Sequence, residues 1–268
     1  MLRELWRRRI SCHGHREGLI PEKERYLMES ERTSYFINNP IFVKYKTRWD
    51  FFRLKRKRVL KTVFVNERII ELPFAIESLC ALPKGAGILD LGCTESLFPL
   101  QAAGLGYHVA GLDFRPYPYA HPNLTCVRGD MCRLPFENDK FDGVFSLSSL
   151  EHVGIGFYED PASCREADRT AVEEIYRVLK EGGLFVVTVP YGKASVNSHQ
   201  RVYDAEGLKT LLEKFDIQEK KHFQNFTKDG VPGNFWEQVS PEKAAQVESA
   251  ENTAGVCLIK ATKPVGIK

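Results

Sequence analysis

The chain predicts an open, doubly wound α/β sheet, and three observations carry that expectation. From residue 68 onward, short apolar runs alternate with helical patterns, the rhythm of parallel strands joined by crossover helices. Three of the runs end on a carboxylate, at Asp90, Asp113 and Asp130. The first of them, "ILDL", passes straight into "GCTES". A glycine followed by small polar residues closes a buried strand and opens a tight turn into a helix.

The elements follow in order. "RIIELPFAIESLCAL" has helical apolar spacing around Ile76, Leu79 and Leu82, and "PKGAG" closes it. "ILDL" (88–91) is the first buried strand. "SLFPLQAAGLG" is a short helix in which Pro99 is acceptable because it lies in the first turn. "YHVAGLD" (107–113), "NLTCVRGD" (123–130) and "FDGVFSLSS" (141–149) are the next three strands. Between the second and third, "FRPYPYAHPN" holds three prolines in ten residues, so an extended crossover replaces a helix there. "TAVEEIYRVLKEGG" reads as a helix with Thr170 and Glu173 as a capping box and Gly182-Gly183 as its stop. "LFVVTVP" (184–190) is the fifth strand; helix "DAEGLKTLLEKF" and strands "IQEKKHF" and "GVCLIKAT" complete the domain. Residues 154–169 and 224–254 read as loop insertions.

Of the 268 residues, 43% are hydrophobic and 27% charged, which places the chain among ordinary globular proteins able to bury a large core. No apolar run approaches the roughly 20 residues of a membrane helix. "MLRELWRRRI" lacks the apolar stretch and cleavage site of a secretory signal. The seven cysteines are scattered and read as reduced thiols. A cytoplasmic placement is therefore expected. "CHGH" (12–15) matches no common metal-ligand spacing, and no metal is expected. Charge is unevenly spread: residues 1–70 hold 18 Lys and Arg against 8 Asp and Glu, a net of +10, and the remainder carries −7. A basic, partly helical arm (1–67) thus precedes the α/β domain (68–268). In "KYKTRWDFFRLKRKRVLK", apolar residues such as Trp49, Phe52 and Leu60 share one helical face and charges ring the other. That arm suits either docking with a solvated basic face or contact with phosphate groups, and it leaves a nucleic acid open as a partner.

In an open parallel sheet, ligands bind outside the carboxyl ends of the strands. A carboxylate after the second strand is placed to accept both hydroxyl hydrogens of a ribose. One after the third accepts from an exocyclic amine of adenine, and one after the first orients a cationic amino group through the turn. Together with "ILDLGC", "HVAGLDF", "VRGDMCRLPFENDKFDGVFSLSSLEHVG" and "EEIYRVLKEGGLFVVTVPYG", this constellation resembles the class I S-adenosylmethionine-dependent methyltransferases, specifically the small type 11 group. The resemblance runs from about Leu82 to Gly192. It implies a Rossmann-like, mostly parallel seven-stranded sheet whose last strand is antiparallel, with S-adenosyl-L-methionine as cofactor. By position it assigns the cofactor to Asp90, Gly92, Cys93, Asp113, Phe114, Asp130, Met131 and Leu147. Thr94 and Ser96 stand where the family prefers glycine; a side chain is tolerated there if φ is negative and the group points away. Ser96 is then available to cap the following helix.

No Asn/Asp-Pro-Pro-Tyr signature follows the fourth strand, which disfavours an exocyclic-amine acceptor. "LEHVG" there places Glu151 and His152 beside the expected methyl group, as a base for a hydroxyl acceptor or as residues that hold the loop. Tyr158, Tyr191, His199, Arg201 and Trp236, on the surrounding loops, are the expected acceptor contacts, and their aromatic and cationic makeup suits a small polar or glycan-type molecule methylated on oxygen. Two other readings stay open: an RNA-directed methyltransferase using the basic arm, and a non-catalytic scaffold that keeps the fold.

Overall fold

A computed structural model describes residues 66–156, 166–228, 231–249 and 253–266. The basic arm up to residue 65, including its apolar and charged faces, lies outside the described residues, as does Tyr158. Helix α1 (Arg68–Leu79) leads into β1 (Gly87–Leu91), α2 (Phe98–Gly104), β2 (His108–Asp113), β3 (Leu124–Arg128) and β4 (Phe141–Leu147). Then come α3 (Ala167–Val178), β5 (Leu179–Pro190), the two-residue strands β6 (Ser195–Val196) and β7 (Arg201–Val202), and α4 (Ala205–Leu211). The chain closes with β8 (Asp216–Lys228), β9 (Val231–Val239), α5 (Pro241–Ala244) and β10 (Gly255–Thr262). No helix among the described residues is long and apolar enough to cross a membrane.

The main sheet has the order β3-β2-β1-β4-β5-β10-β8-β9. The first five strands are parallel, and β10 runs antiparallel to both β5 and β8. Order reverses between β1 and β4, so the carboxyl ends of β1, β2 and β4 open a crevice there. Alternation along the strands builds two cores, one on each face of the sheet. Ile88, Phe98, Phe145 and Val186 pack on the α1–α2 side, where the Phe98 and Phe145 rings lie 4.7 Å apart. Leu89, Leu91, Leu112, Ile175 and Phe185 fill the α3–α4 side. The β2–β3 crossover contains no helix, as its prolines require.

Three elements differ from expectation. The sheet has eight strands, because most of the 224–254 insertion is a hairpin: β9 pairs antiparallel with β8, from His222↔Val239 to Lys228↔Val231. Only Asp229-Gly230 separates the two strands, and Asp-Gly is a preferred two-residue hairpin sequence. Helix α3 begins a turn early, so Thr170 and Glu173 form no capping box. Thr170 Oγ1 donates to the Glu166 carbonyl, Glu173 pairs with Lys214, and the first turn is anchored by buried Asp168, which accepts from Tyr203 Oη at 2.9 Å. The helix also ends before Gly182. Its last carbonyls accept from the backbone N–H groups of Asp139 and Lys140, and the buried Lys263 Nζ donates to the Tyr176 and Leu179 carbonyls at 2.9 and 2.7 Å. Capped from outside, α3 turns directly into β5.

Lys263→Met should therefore lower stability by about 1–3 kcal/mol, the cost of orphaning buried carbonyls. Denaturant unfolding at neutral pH measures it; an unchanged midpoint would show that water replaces the amine.

Candidate functional site

The turn after β1 is a single 3-10 turn, Cys93–Glu95, entered through Gly92 at φ +74°. That angle is left-handed, and a Cβ on Gly92 would overlap the Oγ and Cβ of Ser149, on the loop after β4. Glycine is required there on both counts. Thr94 and Ser96 need no such freedom. Neither has positive φ, Thr94 Oγ1 donates away to the Arg115 carbonyl, and Ser96 Oγ accepts from the Phe98 N–H at 3.1 Å. The two departures from glycine thus leave the turn's shape intact, and Ser96 caps α2.

Asp113, at the end of β2, joins this turn to its own loop. One carboxylate oxygen accepts from the Thr94 N–H at 3.0 Å and the other from the Arg115 N–H at 2.9 Å. The residue is 9% exposed, and the Arg115 Nε lies 3.5 Å from the oxygen that the Arg115 N–H holds. Arg115 in turn pairs with Glu95 at 2.6 Å. Asp130, after β3, is fixed by the Cys132 N–H at 2.8 Å, and the Gly129 N–H donates to the Asp113 carbonyl, holding the second and third strand ends together.

The loop after β4 is held from below by α1. Ser148 sits at φ +42°, an uncommon value for a residue with a side chain. Its N–H donates to Thr188, and its hydroxyl donates to the carboxylate of Glu71, which is completely buried. Glu71 also accepts from Thr188 Oγ1 at 2.6 Å and pairs with Arg68 at 3.1 Å, and Arg68 donates to the Leu147 carbonyl at 2.8 Å. A buried, connected network of this kind fixes one geometry. Beyond it, the turn Leu150–His152 presents His152, whose Nδ1 lies 2.5 Å from the His199 carbonyl. A carbonyl only accepts, so Nδ1 carries the hydrogen and Nε2 is the basic nitrogen. Burial holds the imidazole pKa below its usual range.

These loops enclose a cavity of about 290 Å³ between the first turn, the three strand ends and the start of α3. Of the residues singled out from sequence, Gly92, Asp113, Phe114, Asp130, Met131 and His152 line it together. Glu95, Arg115, Ser148 and Ser149 line it as well and were not foreseen. Asp90 lies buried outside the lining, with Oδ2 lacking any hydrogen-bond partner and its carboxyl pushed well above the usual range by desolvation. Cys93 is buried outside it, and the Leu147 side chain faces the α1–α2 core. Glu151 is buried too; Oε2 has no partner, and desolvation, reinforced by Glu71 and Glu67, raises its pKa well above the ordinary value.

The expected acceptor contacts do not converge. Tyr191 is buried, with its ring 4.7 Å from that of His222. Arg201 pairs with Asp168 at 3.3 Å and donates to the Val153 carbonyl. His199 contributes its backbone carbonyl to His152, and Trp236 packs against the α1–α2 core from β9. Each is drawn into a structural contact that the loop sequence did not reveal.

Residues 89–187 match a family described as a methyltransferase domain. The chain is 28% identical over 137 residues to the phthiotriol/phenolphthiotriol dimycocerosates methyltransferase of Mycobacterium tuberculosis, covering 51% of this chain and 43% of that protein. It is 34% identical over 105 residues to the demethylmenaquinone methyltransferase of Streptomyces avermitilis, covering 37% and 40%. The chain thus spans less than half the length of these relatives. Among solved structures, 1,6-didemethyltoxoflavin-N1-methyltransferase from Burkholderia thailandensis, with bound S-adenosylhomocysteine, superposes with a TM-score of 0.52 at 15% identity over 94% of this chain and 93% of that one. The [4+2]-cyclase SpnF also gives 0.52, at 19% identity, over 78% and 86%. Both share the fold.

The buried Glu151 carboxyl has a raised folded pKa, so its neutral form stabilises the fold fully below the unfolded value of about 4.3. As pH rises past that value the unfolded state releases a proton that the folded state keeps, and stability falls. Glu151→Gln stays neutral throughout. Its melting temperature relative to wild type should therefore climb between pH 5 and pH 8; a constant difference would mean that Glu151 is ionised when folded.

Proposed function

We propose that the chain is a class I S-adenosylmethionine-dependent methyltransferase that transfers a methyl group to an oxygen of a small acceptor held beside His152. One observation carries the cofactor half of this reading: Asp113 faces the cavity with both carboxylate oxygens already oriented by the Thr94 and Arg115 N–H groups. A carboxylate so held accepts a pair of vicinal hydroxyls with its remaining lone pairs, at no reorientation cost. Asp130, held through one oxygen, offers the other to an exocyclic amine, and Phe114 and Met131 supply apolar surface for a flat ring. Asp90 has an unsatisfied buried oxygen directly before the turn, which suits a cationic amino group acting through that turn. These residues fit the cofactor.

When bound, S-adenosylmethionine supplies a methyl group on a sulfonium, already activated for displacement. The protein's task is then alignment and removal of one proton. His152 is built for the second part. Its tautomer is fixed by the His199 carbonyl, and its lowered pKa keeps it neutral at pH 7. A hydroxyl acceptor held beside it would give its proton to Nε2, from which the proton would leave to solvent through the side chain's 20% exposed surface. Glu151, neutral and buried, holds the loop and does not ionise beside the base.

The narrower expectation of a polar or glycan-type acceptor drew on Tyr158, Tyr191, His199, Arg201 and Trp236. None of the four described among them lines the cavity. Val153, Gly154, Ala167 and Thr170 are among the described residues that line the cavity with His152. These residues support an acceptor that places apolar as well as polar surface in the cavity. The Mycobacterium tuberculosis relative, named for a triol, is in keeping with an oxygen acceptor.

Asp113→Ala should weaken S-adenosylhomocysteine binding by about 1–3 kcal/mol in calorimetric titration; unchanged affinity would remove Asp113 from the site. His152→Ala should keep that affinity but slow methyl transfer to a hydroxylated acceptor by roughly 10²–10⁴-fold. In the wild type, the rate should rise with pH through a value below about 6.5 and then level off. Undiminished turnover in His152→Ala would make the histidine a loop anchor only.

A further inference from the structure

A pair of cysteines adjoins the cofactor turn and has no part in the chemistry above. Cys93 follows Gly92 in the turn and is buried; Cys126 lies on β3, the edge strand, and is exposed. Gly111 on β2 pairs in register with Cys126, and its missing side chain leaves a gap that both sulfurs enter. A Cβ on Gly111 would stand 3.0 Å from each Sγ, so the two sulfurs are at most twice that distance apart. Interaction with Cys126 and burial drive the Cys93 pKa far up, while the same interaction holds Cys126 below its ordinary value. Cys93 is thus the proton donor of the pair, and Cys126 the sulfur that ionises where solvent reaches it.

We propose that Cys93 and Cys126 are an oxidisable dithiol, and that a hydroperoxide converts them to a disulfide that pulls the cofactor turn off Asp113. The Cys126 thiolate attacks the peroxide, breaking its O–O bond and forming a sulfenic acid; the leaving oxygen takes the proton that Cys126 gave up and departs as water from hydrogen peroxide, or as the alcohol from an organic hydroperoxide. The Cys93 sulfur then attacks the Cys126 sulfur and displaces its hydroxyl, which takes the Cys93 thiol proton and leaves as water. Two thiols lose two electrons, and the peroxide gains them.

The sulfurs must close to about 2.05 Å. Cys126 is held by the continuous β2–β3 register, so the shorter, 3-10 segment yields. Cys93 lies between the two residues that shape the site: Gly92, packed on Ser149, and Thr94, whose N–H orients Asp113. Motion of Cys93 toward β3 breaks the second contact. The consequence for the cofactor rests on the proposed function; the disulfide and the turn's displacement do not.

The test treats the reduced full chain with hydrogen peroxide and reads three quantities. Peptide mapping should find a 93–126 linkage. Amide exchange across residues 92–96 should accelerate at least tenfold as the Thr94 N–H loses Asp113. Calorimetric affinity for S-adenosylhomocysteine should fall at least tenfold and return with dithiothreitol. Cys126→Ser should bind like the reduced wild type and be insensitive to peroxide. Absence of the linkage, or a linkage with unchanged exchange and affinity, overturns the proposal. Failure of the reduced wild type to bind would instead overturn the cofactor reading, and linkage plus exchange would still decide the dithiol.

Discussion

The site depends on one close approach. The turn after β1 and the loop after β4 come from strands that neighbour each other in the sheet but are distant along the chain: the Gly87 N–H donates to Asp142, 55 residues on. They meet at Gly92 and Ser149, where only a hydrogen atom fits. Their packing sets the cavity's floor, and Asp113 clamps the turn from the other side through the Thr94 N–H. Move either loop outward and the strand-end carboxylates lose their common focus. The parallel sheet makes the approach unavoidable, since its strand order reverses between β1 and β4.

Much of this was legible in the residues because it follows from local pattern. Apolar runs closed by Asp90, Asp113 and Asp130 marked the strand ends, and a turn opening with glycine marked the close approach. The tolerance of Thr94 and Ser96 was also readable: negative φ and outward side chains are a local matter. Nothing nearby pointed to Glu71. Its carboxylate serves Ser148, 77 residues away, and Thr188, 117 residues away, so only the folded topology brings the three together. The start of α3 eluded pattern for a related reason. Thr170 and Glu173 form a good local cap, but burial of Asp168 against Tyr203 and Arg201 outweighs it. The β8–β9 hairpin was the missed local signal, because Asp-Gly between alternating segments stood in the sequence. The loop residues were read by type alone. Tyr191, Arg201 and Trp236 are aromatic or cationic, as acceptor contacts are, yet each is consumed by packing or pairing.

The carboxylates around the crevice differ in their surroundings. Asp113 and Asp130 are oriented by backbone N–H groups. Asp90 and Glu151, deeper and without such partners at one oxygen, are driven toward the neutral form by desolvation. A neutral imidazole in the same cavity is what a proton acceptor requires.

The most direct test is a crystal structure of the chain with S-adenosylhomocysteine. The account requires both ribose hydroxyls within hydrogen-bond distance of the Asp113 carboxylate, the adenine amine at Asp130, and the sulfur facing the side where His152 stands. A nucleoside bound elsewhere, or one whose ribose avoids Asp113, would contradict it.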